Sequence, residues 1–126
     1  MGKRVLVVCQ DESLGSFLEV VLQFEGYEAR SARDFVQADE MIAEQQPDIA
    51  LVDLPGEDPF AQGHAGLDAT TAWRARHDDI PAILVAGELT SSQRAVAISA
   101  FDRVEDKHKF DLEELLRDLR ELTADE

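Results

Sequence analysis

The chain is poor in cysteine, lysine and large aromatics, with one cysteine (Cys9), three lysines (Lys3, Lys107, Lys109), one tryptophan and one tyrosine among 126 residues. A single thiol forms no internal disulfide and builds no multi-cysteine metal site, which fits a reducing, cytoplasmic setting. Long apolar runs are missing too. The run from Val5 to Cys9 falls far short of a membrane span or a signal-peptide core, so a soluble protein without a membrane role is expected. Basic charge is scarce: 12 Lys and Arg stand against 27 Asp and Glu, a formal net charge of −15. A surface of that sign repels the phosphate backbone, and direct nucleic-acid binding is not expected. The acid excess serves solubility, and it equally suits a salt-rich cytoplasm or a basic partner surface. The length fits one domain, taken as residues 1–122 with a polar tail at 123–126.

What is present is an alternation of two periods. Val5-Leu6-Val7-Val8-Cys9 is a continuous apolar run of strand length, as expected of a strand buried on both faces. Leu14, Phe17, Leu18, Val21 and Leu22 then mark one face of a helix, with Ser13 as its expected N-cap and Gly26 as its terminator. A second strand is expected over Tyr27 to Ser31, and a second helix on Phe35, Ala38, Met41 and Ile42, closed by Gln46-Pro47. Ile49-Ala50-Leu51-Val52 is a third strand ending at Asp53. From Leu54 to Gly66 the pattern lapses into a Gly- and Pro-rich stretch, expected to be a long and mobile loop. A helix from Leu67 to about His77, a strand over Pro81 to Ala86, a helix started by Thr90-Ser91-Ser92, a strand over Phe101 to Val104 and a last helix on Phe110 to Leu122 complete the series.

Five strands alternating with five helices imply a parallel sheet covered on both faces: a flavodoxin-like (βα)5 doubly wound α/β domain, strand order 2-1-3-4-5. In such a sheet chemistry collects beyond the carboxyl ends of the strands, at the switch between the first and third. Those ends are Cys9-Gln10-Asp11-Glu12 and Asp53. Aspartate at a strand end also serves as a plain turn former, so position alone does not decide a role for Asp53.

Five stretches, in order, resemble the landmarks of response-regulator receiver domains of two-component signalling: Val5 to Val8, Glu25 to Glu28, Pro47 to Asp53, Ile80 to Val85 and Lys109 to Leu115. The resemblance covers about residues 3–122. It implies a non-enzymatic signalling module in which Asp53 accepts a phosphoryl group from a histidine kinase. It also implies magnesium held by Asp53, by acids after the first strand and by the backbone carbonyl of Pro55. The implied partners are a histidine kinase or an output protein, met on the face of the fourth helix, fifth strand and fifth helix, where Arg103 and Arg117 would lie.

The departures from that pattern are as informative. Counted ungapped from Gly26, the two metal-binding acids fall on Cys9 and Gln10; Asp11 and Glu12 lie one step late and serve only if the register slips. The phosphate-binding hydroxyl falls on Ala86, which donates nothing. The switch aromatic falls on Arg103, and the lysine falls on His108, with Lys107 or Lys109 available after a local insertion. Magnesium takes near-octahedral oxygen coordination, so Mg2+ binding is expected to be weak or absent. The resemblance is thus to a degenerate receiver, a largely phosphorylation-independent pseudo-receiver, with a working phosphoacceptor as the alternative. A nucleotide- or flavin-binding flavodoxin-like protein is disfavoured, because Cys9 to Leu14 carries no glycine for a phosphate loop. Cys9 reads as an apolar filler. Trp73 reads as a buried helix residue or a partner anchor. His64, His77 and His108 lack metal-ligand spacing, and His77 suits a helix C-terminus.

Overall fold

The strands that the apolar runs dictate form one sheet. The computed structural model describes residues 2–54, 65–87, 89–109 and 111–124. Chain order is β1 (Arg4–Val8), α1 (Glu12–Phe24), β2 (Glu28–Ala32), α2 (Phe35–Glu44), β3 (Ile49–Asp53), α3 (Ala65–Arg76), β4 (Ala82–Ala86), α4 (Ser91–Ala100), β5 (Arg103–Asp106), a 3-10 turn (Lys107–Lys109) and α5 (Leu112–Leu122). All strand pairs are parallel, in the order β2-β1-β3-β4-β5.

Side chains alternate across the sheet, so each strand feeds two cores. Val5, Val7, Ile49, Leu51, Ile83 and Val85 pack under α1 and α5, against Leu18, Leu22, Leu115 and Leu119. Leu6, Val8, Val52 and Leu84 pack under the other helices, against Ala38, Trp73 and Ala97. Burying each such leucine contributes about 2 kcal/mol of transfer free energy. Trp73 is fully buried, stacks on Phe35 at a centroid distance of 5.0 Å, and donates from Nε1 to Asp39 Oδ1 at 2.8 Å. It is therefore core, and the partner-anchor reading is withdrawn. His77, one residue past α3, binds the same Asp39 oxygen through Nε2 at 2.8 Å. Arg74, also buried, ties α3 to the next layer through the Ala100 carbonyl and Asp102 Oδ2.

Several boundaries shift by a residue or two from expectation, and two of the shifts have a clear cause. The N-cap of α1 is Asp11 rather than Ser13: its Oδ1 accepts from the Ser13 and Leu14 amides at 2.9 and 3.2 Å, and the helix begins at Glu12. The fifth strand runs Arg103 to Asp106 rather than Phe101 to Val104, because the Phe101 N–H still bonds the Ala97 carbonyl and closes α4. Thr90 caps α4 in a reciprocal box with Gln93, and Gly26 leaves α1 at φ 95°, a left-handed conformation that suits glycine. Pro55, His64, Phe110 and residues 55–64 of the stretch expected to be mobile lie outside the described residues, whereas Ala65 and Gly66, expected in that loop, open α3.

Candidate functional site

Asp53 is the last residue of β3, opposite Val85 of β4, and its burial follows from that register. The strand pairing continues one step further, with the Leu54 N–H donating to the Val85 carbonyl at 2.8 Å. Next door, Cys9 leaves β1 while its N–H still donates to the Ala32 carbonyl at 2.9 Å. This seats the Cys9 side chain beside Asp53, at the switch point of the sheet.

Three groups meet there. Lys107 Nζ lies 2.7 Å from Asp53 Oδ1 as an ion pair; its directed hydrogen bond goes to the Leu54 carbonyl at 3.1 Å, which leaves Oδ1 without a well-aligned donor. Cys9 Sγ lies 3.5 Å from Asp53 Oδ2 and 3.3 Å from the Asp11 carbonyl. Burial, and after it the negative charge of Asp53, push the Cys9 thiol up to about 11. At neutral pH it is a protonated weak donor facing a carboxylate, not a nucleophile. Asp53 itself is 7% exposed.

Of the residues singled out in the sequence, the structure brings Lys107 to Asp53 and leaves Lys109 exposed. Lys107 opens the 3-10 turn Lys107–Lys109, one residue before the position reached by counting back from Phe110. Ala86 is buried at the end of β4. Asp11 and Glu12 are both exposed, and Asp11 Oδ1 is engaged in the α1 cap, while the Cys9 side chain is the one seated beside Asp53. Among the described residues no group of three or more His, Cys, Asp or Glu is placed to hold a metal. With a protonated thiol where the pattern has a carboxylate, these donors do not fit a magnesium site.

A second buried acid escaped the sequence reading. Asp118 of α5 is 7% exposed and its Oδ2 lacks a hydrogen-bond partner, while Arg103 Nε lies 3.6 Å from Oδ1. Glu105 of β5 faces it, and burial, together with the bond to Asp118 and its charge, pushes Glu105 up to about 8. The signal was there: Asp118 interrupts the apolar face of Leu115, Leu116, Leu119 and Leu122. Arg103, expected as a free surface charge, is instead half-buried and bridges Asp118 and Glu121.

No family model matches the chain. It is 33% identical over 124 residues to response regulator MprA of Mycobacterium ulcerans and 32% identical to that of Mycobacterium tuberculosis, covering 97% of this chain in each case. The chain is similar to response regulators along nearly all of its own length. It spans about half the length of those relatives, 50% and 51%. Solved structures show that its fold is the receiver fold. Chemotaxis protein CheY4 of Vibrio cholerae superposes with TM-score 0.76 at 20% identity, over 97% of this chain and 99% of that one. A response regulator of Thermotoga maritima gives 0.77 at 17%, over 99% and 100%. No described helix is long and apolar enough to cross a membrane.

Proposed function

We propose that this receiver-type domain is an interaction module of a two-component system, one that meets a protein partner without requiring a phosphoryl group on Asp53 and turns over no substrate. The observation that carries this reading is Cys9 Sγ at 3.5 Å from Asp53 Oδ2, a neutral thiol occupying the place from which a carboxylate would hold a cation. Phosphoryl transfer depends on positioning and on stabilising charge over the transferred oxygens. Here neither the cation ligands nor a hydroxyl at Ala86 supplies that support. The partner is a histidine kinase or an output protein, and its docking face is built from α4, β5 and α5, where Arg117 is exposed.

One observation favours the other reading. The Lys107–Asp53 pair at 2.7 Å matches the lysine and acceptor that the receiver pattern requires, so Asp53 remains a candidate phosphoacceptor. Incubation with acetyl phosphate and magnesium, followed by intact-mass measurement, separates the two. Unmodified protein under conditions that load an unaltered receiver supports the interaction module. A phosphoryl adduct on Asp53, lost in Asp53→Asn, overturns it.

A further inference from the structure

The ends of β1 and β2 remote from Asp53 hold a cavity of about 380 Å³, within the range of small-molecule sites. Its origin lies in β2, whose sequence Glu-Ala-Arg-Ser-Ala offers no large apolar side chain. On the sheet face under α2, β2 presents Arg30 across from Leu6 of β1. Arg30 turns out to solvent instead of filling the space, so Met41 and Ile42 of α2 stay half-exposed above Leu6, with buried Pro47 at the far wall.

The charges at the mouth are unequal. Arg4 is engaged: its Nε lies 3.3 Å from Glu28, and the Gln45 amide, oriented to satisfy both partners, accepts from Nη2 at 2.7 Å. The Arg30 guanidinium makes no ion pair or hydrogen bond among the described residues. The chain's net negative charge opposes anions only at long range, since salt screens it over about 8 Å. Within that distance an uncompensated guanidinium beside an apolar wall selects one ligand type.

We propose that this cavity binds a small amphiphile with a single carboxylate, its apolar body against Leu6, Met41, Ile42 and Pro47 and its carboxylate on Arg30. A guanidinium–carboxylate contact supplies direction and the cavity supplies burial. The competing destination for any apolar molecule is the exposed stripe of Phe17, Val20 and Phe24 on α1, which is 55%, 65% and 89% exposed.

The test is a titration of the intact chain with octanoate, and with octanamide as its uncharged match, followed by methyl NMR. Saturable shifts centred on the Met41 and Ile42 methyls, with octanoate favoured over octanamide, are expected. Arg30→Gln should weaken octanoate binding about tenfold, and Arg30→Lys should retain most of it. Both substitutions are on an exposed position and leave the fold intact. Equal affinity for the two probes, indifference to Arg30→Gln, or shifts centred on Phe17 and Val20 instead would each overturn the proposal. So would the absence of saturation at Met41 and Ile42.

Discussion

Asp53 and Asp118 are buried to the same extent, 7% exposed each, yet their surroundings treat charge differently. Asp53 sits at a strand end with an ammonium at 2.7 Å and a neutral thiol on its other oxygen. Asp118 sits in the middle of a leucine face, with a guanidinium at 3.6 Å, an unpartnered oxygen and a second carboxyl, Glu105, against it. A buried charge is tolerable when matched at close range and costly when it is not. Each acid leaves one oxygen without an aligned donor, but Asp53 has the closer cation and only Asp118 has a second carboxyl against it, so the second carries more of the strain. A proton-sensitive pair therefore lies at the β5–α5 edge.

The comparison breaks most severely at Lys107. Lys107→Met strips Asp53 of the cation paired with it among the described residues, and loss of one partner from a buried pair costs about 3 kcal/mol, so the urea midpoint should fall sharply. Adding Asp53→Asn should restore most of that loss, because the uncompensated charge goes with it. If the single variant is as stable as the parent, Asp53 is not held by Lys107.

Arg103→Glu should cost less, about 2 kcal/mol, since its side chain is 41% exposed and its contact with Asp118 is longer. It places a third carboxylate against Asp118 and Glu105. A variant designed to probe docking at this position would therefore report on folding instead. Arg117→Glu, on an exposed position whose charge reaches Glu105 only through solvent, should move the urea midpoint far less than Arg103→Glu and is the cleaner probe of the docking face. A loss at Arg117 matching that at Arg103 would contradict the assignment of the buried bridge to Arg103.

How far the sequence foretold this follows from where its patterns were strong. Val5 to Val8, Ile49 to Val52 and Ala82 to Ala86 are apolar without interruption, because strands covered on both faces must be, and the doubly wound topology follows from them. The fifth strand, Arg-Val-Glu-Asp, has one apolar residue, as an edge strand can; apolarity pointed two residues upstream, to Phe101, which plugs the core at the end of α4. Asp53 was legible from its strand. Its lysine was not, because Lys107 lies in a 3-10 turn between β5 and α5, and a turn of that kind leaves no periodic trace. Asp11 and Glu12 were ambiguous as ligands until the cap of α1 claimed Asp11.

Cys9→Ala should be milder still, near 1 kcal/mol, the cost of a small buried cavity and a weak sulfur hydrogen bond. Alkylation supplies a second reading. The buried thiol, held protonated up to about 11, should react with iodoacetamide at neutral pH only as fast as the domain opens, and urea should accelerate it in step with unfolding. Rapid modification of the folded protein would mean that the Cys9–Asp53 contact is not closed.

The smallest effect lies in the pH dependence, and its sign follows from the Glu105–Asp118 pair. Glu105 is raised from 4.5 to about 8, so the folded chain holds a proton that the unfolded chain releases. Its contribution to stability is complete below about pH 4.5, declines as pH rises through the interval, and is gone above about pH 8. Because the two carboxyls share that proton, the shift belongs to the pair, and either Glu105→Gln or Asp118→Asn should flatten the slope. Glu105 is partly solvated, so screening keeps the gain in Glu105→Gln at alkaline pH below about 1 kcal/mol, about 4 °C in Tm. Thermal melts of the parent and the two variants across that pH interval decide the matter. If the slope survives in both variants, the proton is not held by the Glu105–Asp118 pair, and the second acid is not the strained one.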